Sequence, residues 1–173
     1  MKTDIISIDN RGNGFQNALE QTEKAAAFRE LDHKEALKLR LCTEEMLSLV
    51  RSVTGEMAAS FWLECEGKRF ELHLSTKTVM DRVKREQLIA SASSRKNEAA
   101  GSFLGKLRDV FETAMVSETA VGIPDEAMDD IFNRSIELPK WDEYEQSILK
   151  NVADDVKISI RGQTVDMTIV KSF

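Results

Sequence analysis

Between Leu37 and Val50 the chain reads Leu37-Lys38-Leu39-Arg40-Leu41-Cys42-Thr43-Glu44-Glu45-Met46-Leu47-Ser48-Leu49-Val50, and this run constrains the fold more than any other. At about 100° per residue, Leu39, Cys42, Met46, Leu49, Val50 and Val53 share one face of a helix, with Glu44 and Arg51 on the opposite side. A helix with so wide an apolar face must be covered by a sheet or by other helices. Glu45 falls between the two faces, one turn after Leu41 and one turn before Leu49. A carboxylate at the rim of a buried face can be aimed into a pocket without full desolvation. On this helix alone, the plainer reading is a solvated boundary residue.

The neighbouring sequence supplies what covers the helix. Residues 3–9 are short and β-branched, which predicts a strand, broken by Gly12 and Gly14. Residues 15–31 carry Ala18, Leu19, Ala25, Ala26 and Phe28 at helical spacing. Asp32 with Glu35 three residues on forms a capping box that opens the 37–53 helix, and Gly55 closes it. Residues 60–75 then alternate with period two: Phe61, Leu63 and Cys65 face one way, the chain turns at Glu66-Gly67-Lys68, and Phe70, Leu72 and Leu74 return on the same face. A second hairpin closes the chain, with Val156, Ile158 and Ile160, a turn at Arg161-Gly162-Gln163, then Val165, Met167 and Ile169.

Between the hairpins the pattern weakens. Residues 81–86 are charge-dense, 88–92 small and apolar, and 91–97 a Ser-rich polar link. A helix is expected from about Asn97, through Ala100, Phe103, Leu104, Leu107, Val110 and Phe111, and a short one over 141–152. This order predicts an α+β fold, a two-layer α/β sandwich with a mostly antiparallel sheet and its helices on one face. Two hairpins separated by helices do not fit a doubly wound parallel sheet.

A chain of 173 residues, 42% hydrophobic and 31% charged, is expected to form a single globular domain. Its formal net charge of −6 argues against nucleic acid or an anionic membrane as partner. No apolar run approaches the roughly 20 residues that span a bilayer. Met1-Lys2-Thr3-Asp4 lacks the apolar core of a signal peptide, so a cytoplasmic location is expected. Cys42 and Cys65 have neither CxxC nor Cys/His spacing, so no zinc site or disulfide framework is expected.

The succession of strand, helix, Glu-bearing helix, hairpin, polar link, helix and closing hairpin resembles the histidine-kinase-like (GHKL, or Bergerat-fold) ATPases. Within them it is most similar to the stand-alone anti-sigma-factor serine kinase branch. The likeness runs through Ala26-Ala27-Phe28-Arg29-Glu30-Leu31-Asp32 and the Leu37–Leu47 part of the long helix, and covers about 1–112 and 154–171. It implies a histidine-kinase-like ATPase fold over residues 1–173, with an inserted segment at about 113–153. It also implies ATP as ligand, a regulatory protein as partner and a homodimer as an assembly. Glu45 matches the family Glu that orients water or the phosphates, the one catalytic position carried over.

The departures are specific. Leu49 stands where the family has the Asn that binds magnesium, and a leucine offers that ion no oxygen. The glycine box after the hairpin is absent from Leu74-Ser75-Thr76-Lys77-Thr78-Val79-Met80-Asp81, which leaves Asp81, displaced, as the adenine partner. The later glycine box is matched only by Gly101 in Asn97-Glu98-Ala99-Ala100-Gly101. Ser93, Ser94, Lys96 and Asn97 before it are the counterpart of a phosphate-binding lid, or, more plainly, a solvated loop feeding a helix N-terminus. Phosphoryl transfer that depends on the metal for charge neutralisation is therefore not expected.

Other chemistry is sparse. His33 and His73 read as surface residues, His73 on the outward face of the first hairpin beside Glu71. No GxSxG turn occurs. Asp125, Glu126, Asp129 and Asp130 lack EF-hand spacing, and Trp141 with Tyr144 reads as a helix-docking pair. Two functions follow: an ATP-binding regulatory protein with weak or absent catalysis, or a partner-switching interaction module that keeps the scaffold without the nucleotide.

Overall fold

The computed structural model describes residues 1–53, 58–101, 149 and 151–173, with backbone alone for 49–53 and 101. Gly55, the 102–111 part of the helix expected from Asn97, the acidic group at 125–130 and the Trp141–Tyr144 pair lie outside the described residues, as does all of the 113–153 segment except 149 and 151–153.

In chain order the elements are β1 (Ile6–Ile8), α1 (Phe15–Phe28), α2 (His33–Val53), β2 (Ala59–Glu66), β3 (Arg69–Lys77), α3 (Arg82–Ser91), a 3-10 turn (Glu98–Gly101), β4 (Asp155–Arg161) and β5 (Thr164–Ser172). The fold is α+β: the strands form one antiparallel sheet in the order β1-β2-β3-β5-β4, and the helices cover one face of it. No helix among the described residues is long and apolar enough to cross a membrane.

The hairpins form where period two predicts them. Their inward residues Phe61, Leu63, Phe70, Leu72, Ile158, Ile160, Met167 and Ile169 are buried, and the two hairpins meet through β3 and β5, with Leu72 opposite Ile169 and Leu74 opposite Met167. From α2, Leu39, Cys42 and Met46 enter this core as expected, joined by Leu47.

The helix ends have local causes. The Asp32–Glu35 capping box is reciprocal: each backbone N–H donates to the other's carboxylate at 2.8 Å. Helix α1 stops at Phe28, three residues short of the expected 31. There Glu30 adopts a left-handed φ of 54°, and the N–H groups of Glu30 and Leu31 return to Ala27 and Ala26, a Schellman closure. At its other end Gly14 has φ 81°, and a Cβ there would lie 2.2 Å from the Ser7 carbonyl oxygen, so only glycine lets β1 turn so closely into α1. Between the helices, buried Thr22 and Thr43 join their hydroxyls at 3.0 Å.

Helix α3 was not expected from the charge-dense 81–86 stretch. Asp81 caps it and its inner face is Arg85, Leu88 and Ser91, spaced by three. With a buried arginine on that face, the apolar periodicity is faint.

Candidate functional site

Of the residues proposed for a nucleotide, Ser93 and Asn97 are bonded to β4. Glu45 is half-buried on the rim of α2, while its neighbour Glu44 points to solvent and receives a bond from Arg40 at 2.9 Å. One turn earlier, burial pushes the Cys42 thiol up to about 12, with Lys171 acting against it and Asp154 and Glu45 adding to it. Helix α2 packs against β5 in the core.

Ser93 is fixed at the start of β4. Its N–H donates to the Val156 carbonyl and its Oγ accepts from the Val156 N–H, both at 2.8 Å. Ser94 is exposed; its Oγ donates to a Glu98 carboxylate oxygen at 3.1 Å and accepts from the Lys96 N–H at 3.2 Å. The Lys96 side chain is exposed. Asn97, by contrast, is buried. Its amide nitrogen donates to the Ile160 carbonyl at 3.0 Å, and its amide oxygen accepts from the N–H groups of Ile160 at 2.8 Å and Ala99 at 3.1 Å. Gly101 ends the 3-10 turn. Asp81 stands apart at the start of α3, about 15 Å of helix from Ser93, and its carboxylate accepts the Lys84 N–H at 2.8 Å. The structure thus bonds Ser93 and Asn97 to β4 with Ser94 and Lys96 in the loop between them, keeps Glu45 on α2, and leaves Asp81 at the far end of α3.

A second polar constellation, on the sheet face away from the helices, escaped the sequence reading. His73 lies on the outward face as expected but is half-buried, stacked on Trp62 at a ring separation of 5.0 Å and an interplanar angle of 11°. Its Nδ1 is 3.1 Å from the Thr168 hydroxyl, and its Nε2 is 3.7 Å from Glu71, with no hydrogen-bond partner among the described residues. Burial lowers the His73 pKa; Glu64 and Glu71 oppose that shift and Lys2 adds to it. Next to it Ser75 donates to Asp166 at 2.6 Å, and Trp62 Nε1 donates to Glu64 at 3.1 Å. His73 bonds Thr168 while Ser75 bonds Asp166, so serine, histidine and carboxylate are not linked as a nucleophile–base–orienter chain. Beyond this cluster, at the β2–β3 turn, lies a cavity of about 620 Å³ whose lining mixes Lys2, Arg29 and Arg69 with Glu64, Glu66 and Glu71.

Among the described residues, no group of three His, Cys, Asp or Glu side chains is placed to hold a metal ion. No protein-family model matches the chain, and no curated protein matches it.

Proposed function

We propose that this chain is a regulatory protein built on the scaffold of the histidine-kinase-like ATPases, and that it acts by associating with a partner protein rather than by transferring phosphate. The observation that carries this reading is what the residues assigned to the nucleotide already do. Asp81 caps α3, Ser93 and Asn97 are bonded to β4, and Ser94 is bonded to Glu98. A carboxylate beside Ser94 repels a phosphate there. Lys96 is the one cation of the set, and Leu49 brings no oxygen to a magnesium ion. Without the metal, the developing charge of phosphoryl transfer goes unneutralised.

A second reading, an ATP-binding regulator without efficient catalysis, is supported by the exposed cation Lys96 in the 93–97 loop and the half-buried carboxylate Glu45 on α2. Thermal unfolding with ATP and ADP, each with and without magnesium, separates the two. The association reading expects no shift at millimolar nucleotide. Nucleotide at 100 times its dissociation constant would stabilise by about 2.7 kcal/mol, a rise of several degrees, and would establish the second reading. A rise that requires magnesium would overturn both in favour of a metal-dependent kinase.

A further inference from the structure

Among the described residues strand β4 ends the sheet, and an open strand edge is a template for pairing with another chain. Here the edge is closed by one short loop. Ser93 makes both hydrogen bonds to the outward peptide groups of Val156, and the Asn97 amide makes both to those of Ile160. Between them Asn97 forms a parallel bridge with Ile158. Two residues, through the Ser93 N–H and the side chains of Ser93 and Asn97, therefore do what a neighbouring strand would do. The loop holds this position with Arg95 at φ 51°, in the left-handed region that a residue with a Cβ disfavours.

The edge beneath is complementary to itself. Pair β4 antiparallel with β4 of a second copy about Ile158, and the outward-facing residues 156, 158 and 160 meet outward-facing residues, as a ladder requires. Val156 then stands opposite Ile160, and Asp155 opposite Arg161, each pairing made twice by the two-fold axis. Shifting by one ladder step either way sets Lys157 against Lys157 or against Arg161, like charges directly opposed. One register is attractive, and its neighbours are repulsive.

We propose that residues 93–97 are a strap over a self-complementary edge, and that releasing the strap lets two copies of this chain join β4 to β4 into one continuous sheet. Whether or not a nucleotide binds, the strand edge alone carries this. The test is sedimentation velocity on the full chain carrying Ser93→Ala with Asn97→Ala. The wild type should sediment as a monomer at micromolar concentrations where the double variant is a dimer. Adding Arg161→Glu to the double variant should weaken dimerisation about tenfold, and adding Asp155→Lys to that should restore it. Should the double variant lose its native circular dichroism, Ser93→Ala alone answers through amide exchange at Val156: faster exchange accompanied by association supports the strap. A released edge that leaves the chain monomeric overturns the proposal. So does association indifferent to the charges at 155 and 161, or a wild-type dimer already dependent on them.

Discussion

The two faces of the sheet are made by the same strands, residue by residue in alternation, yet they are held together by different physics. Facing the helices, Phe61, Leu63, Leu72, Ile158 and Ile169 are fully buried and almost purely apolar. Facing away, Trp62, His73, Ser75, Asp166 and Thr168 are half-buried and joined by a ring stack and hydrogen bonds. Burial of apolar area is non-directional and indifferent to pH. Stacks and hydrogen bonds depend on geometry and, where a histidine is involved, on protonation. Stability therefore resides mainly on the inner face, while response to conditions resides on the outer one.

The largest test of that contrast is Met46→Ala. Met46 is fully buried between α2 and the sheet, and truncation removes its packing and leaves a cavity. The expected loss is about 2–5 kcal/mol, read as a lower denaturant midpoint with the slope unchanged. A loss below about 1 kcal/mol would mean that α2 can shift to fill the gap, and the division between the faces would lose its basis.

A smaller effect is expected at the polar contact inside the helical layer. Thr22 donates to the Ala18 carbonyl at 2.9 Å and meets Thr43, whose hydroxyl is 3.3 Å from the Leu39 carbonyl. Thr43→Val should cost about 1 kcal/mol. Converting both threonines to valine should recover most of it, because no buried hydroxyl is then left without its partner. Chemical denaturation of the two single variants and the double variant gives the coupling. Full additivity would show that each hydroxyl is satisfied by its own helix.

The inner face was legible in the sequence and the outer face was not, for one reason. Period two in both hairpins and the Asp32–Glu35 box are local signals, and each formed where it was read. The outer cluster depends on β3 pairing with β5, which sets Thr168 opposite His73 and Asp166 opposite Ser75 across more than ninety residues of chain. The alternation did put Trp62, His73, Ser75, Asp166 and Thr168 on one side. Only the order of the strands brought them together. Asn97 shows the same limit within the candidate site: its partners at Ile160 are 63 residues away. Read locally it belongs to a phosphate loop, and in the fold it binds a strand. The α3 helix was missed for a different reason, the buried Arg85 that breaks its apolar stripe.

The smallest expected effect is the one that most sharpens the comparison, because it belongs to the outer face alone. Burial lowers the His73 pKa from its ordinary value of about 6.5. As pH falls below that value, the unfolded chain takes up the proton first, so protonation favours the unfolded state. Stability should then rise with pH between the folded and unfolded pKa values, and the contribution levels off above the unfolded one. The carboxylates of Glu64 and Asp154 are shifted the same way, Glu64 chiefly by its bond from Lys2 and Asp154 by Lys171 and the Ser172 N–H, which together outweigh its burial. They contribute stability above the ordinary carboxylate range that is lost as pH falls through their own lowered values, so this acid limb sets in at lower pH than the His73 contribution. His73→Gln should flatten the stability profile just below neutrality while leaving the acid limb in place. Denaturant midpoints taken across both windows check this, with the imidazole proton resonance of His73 following the titration directly. An unchanged slope near neutrality in the variant, or a His73 resonance that titrates above its ordinary value, would place the pH response elsewhere and remove the distinction drawn between the faces.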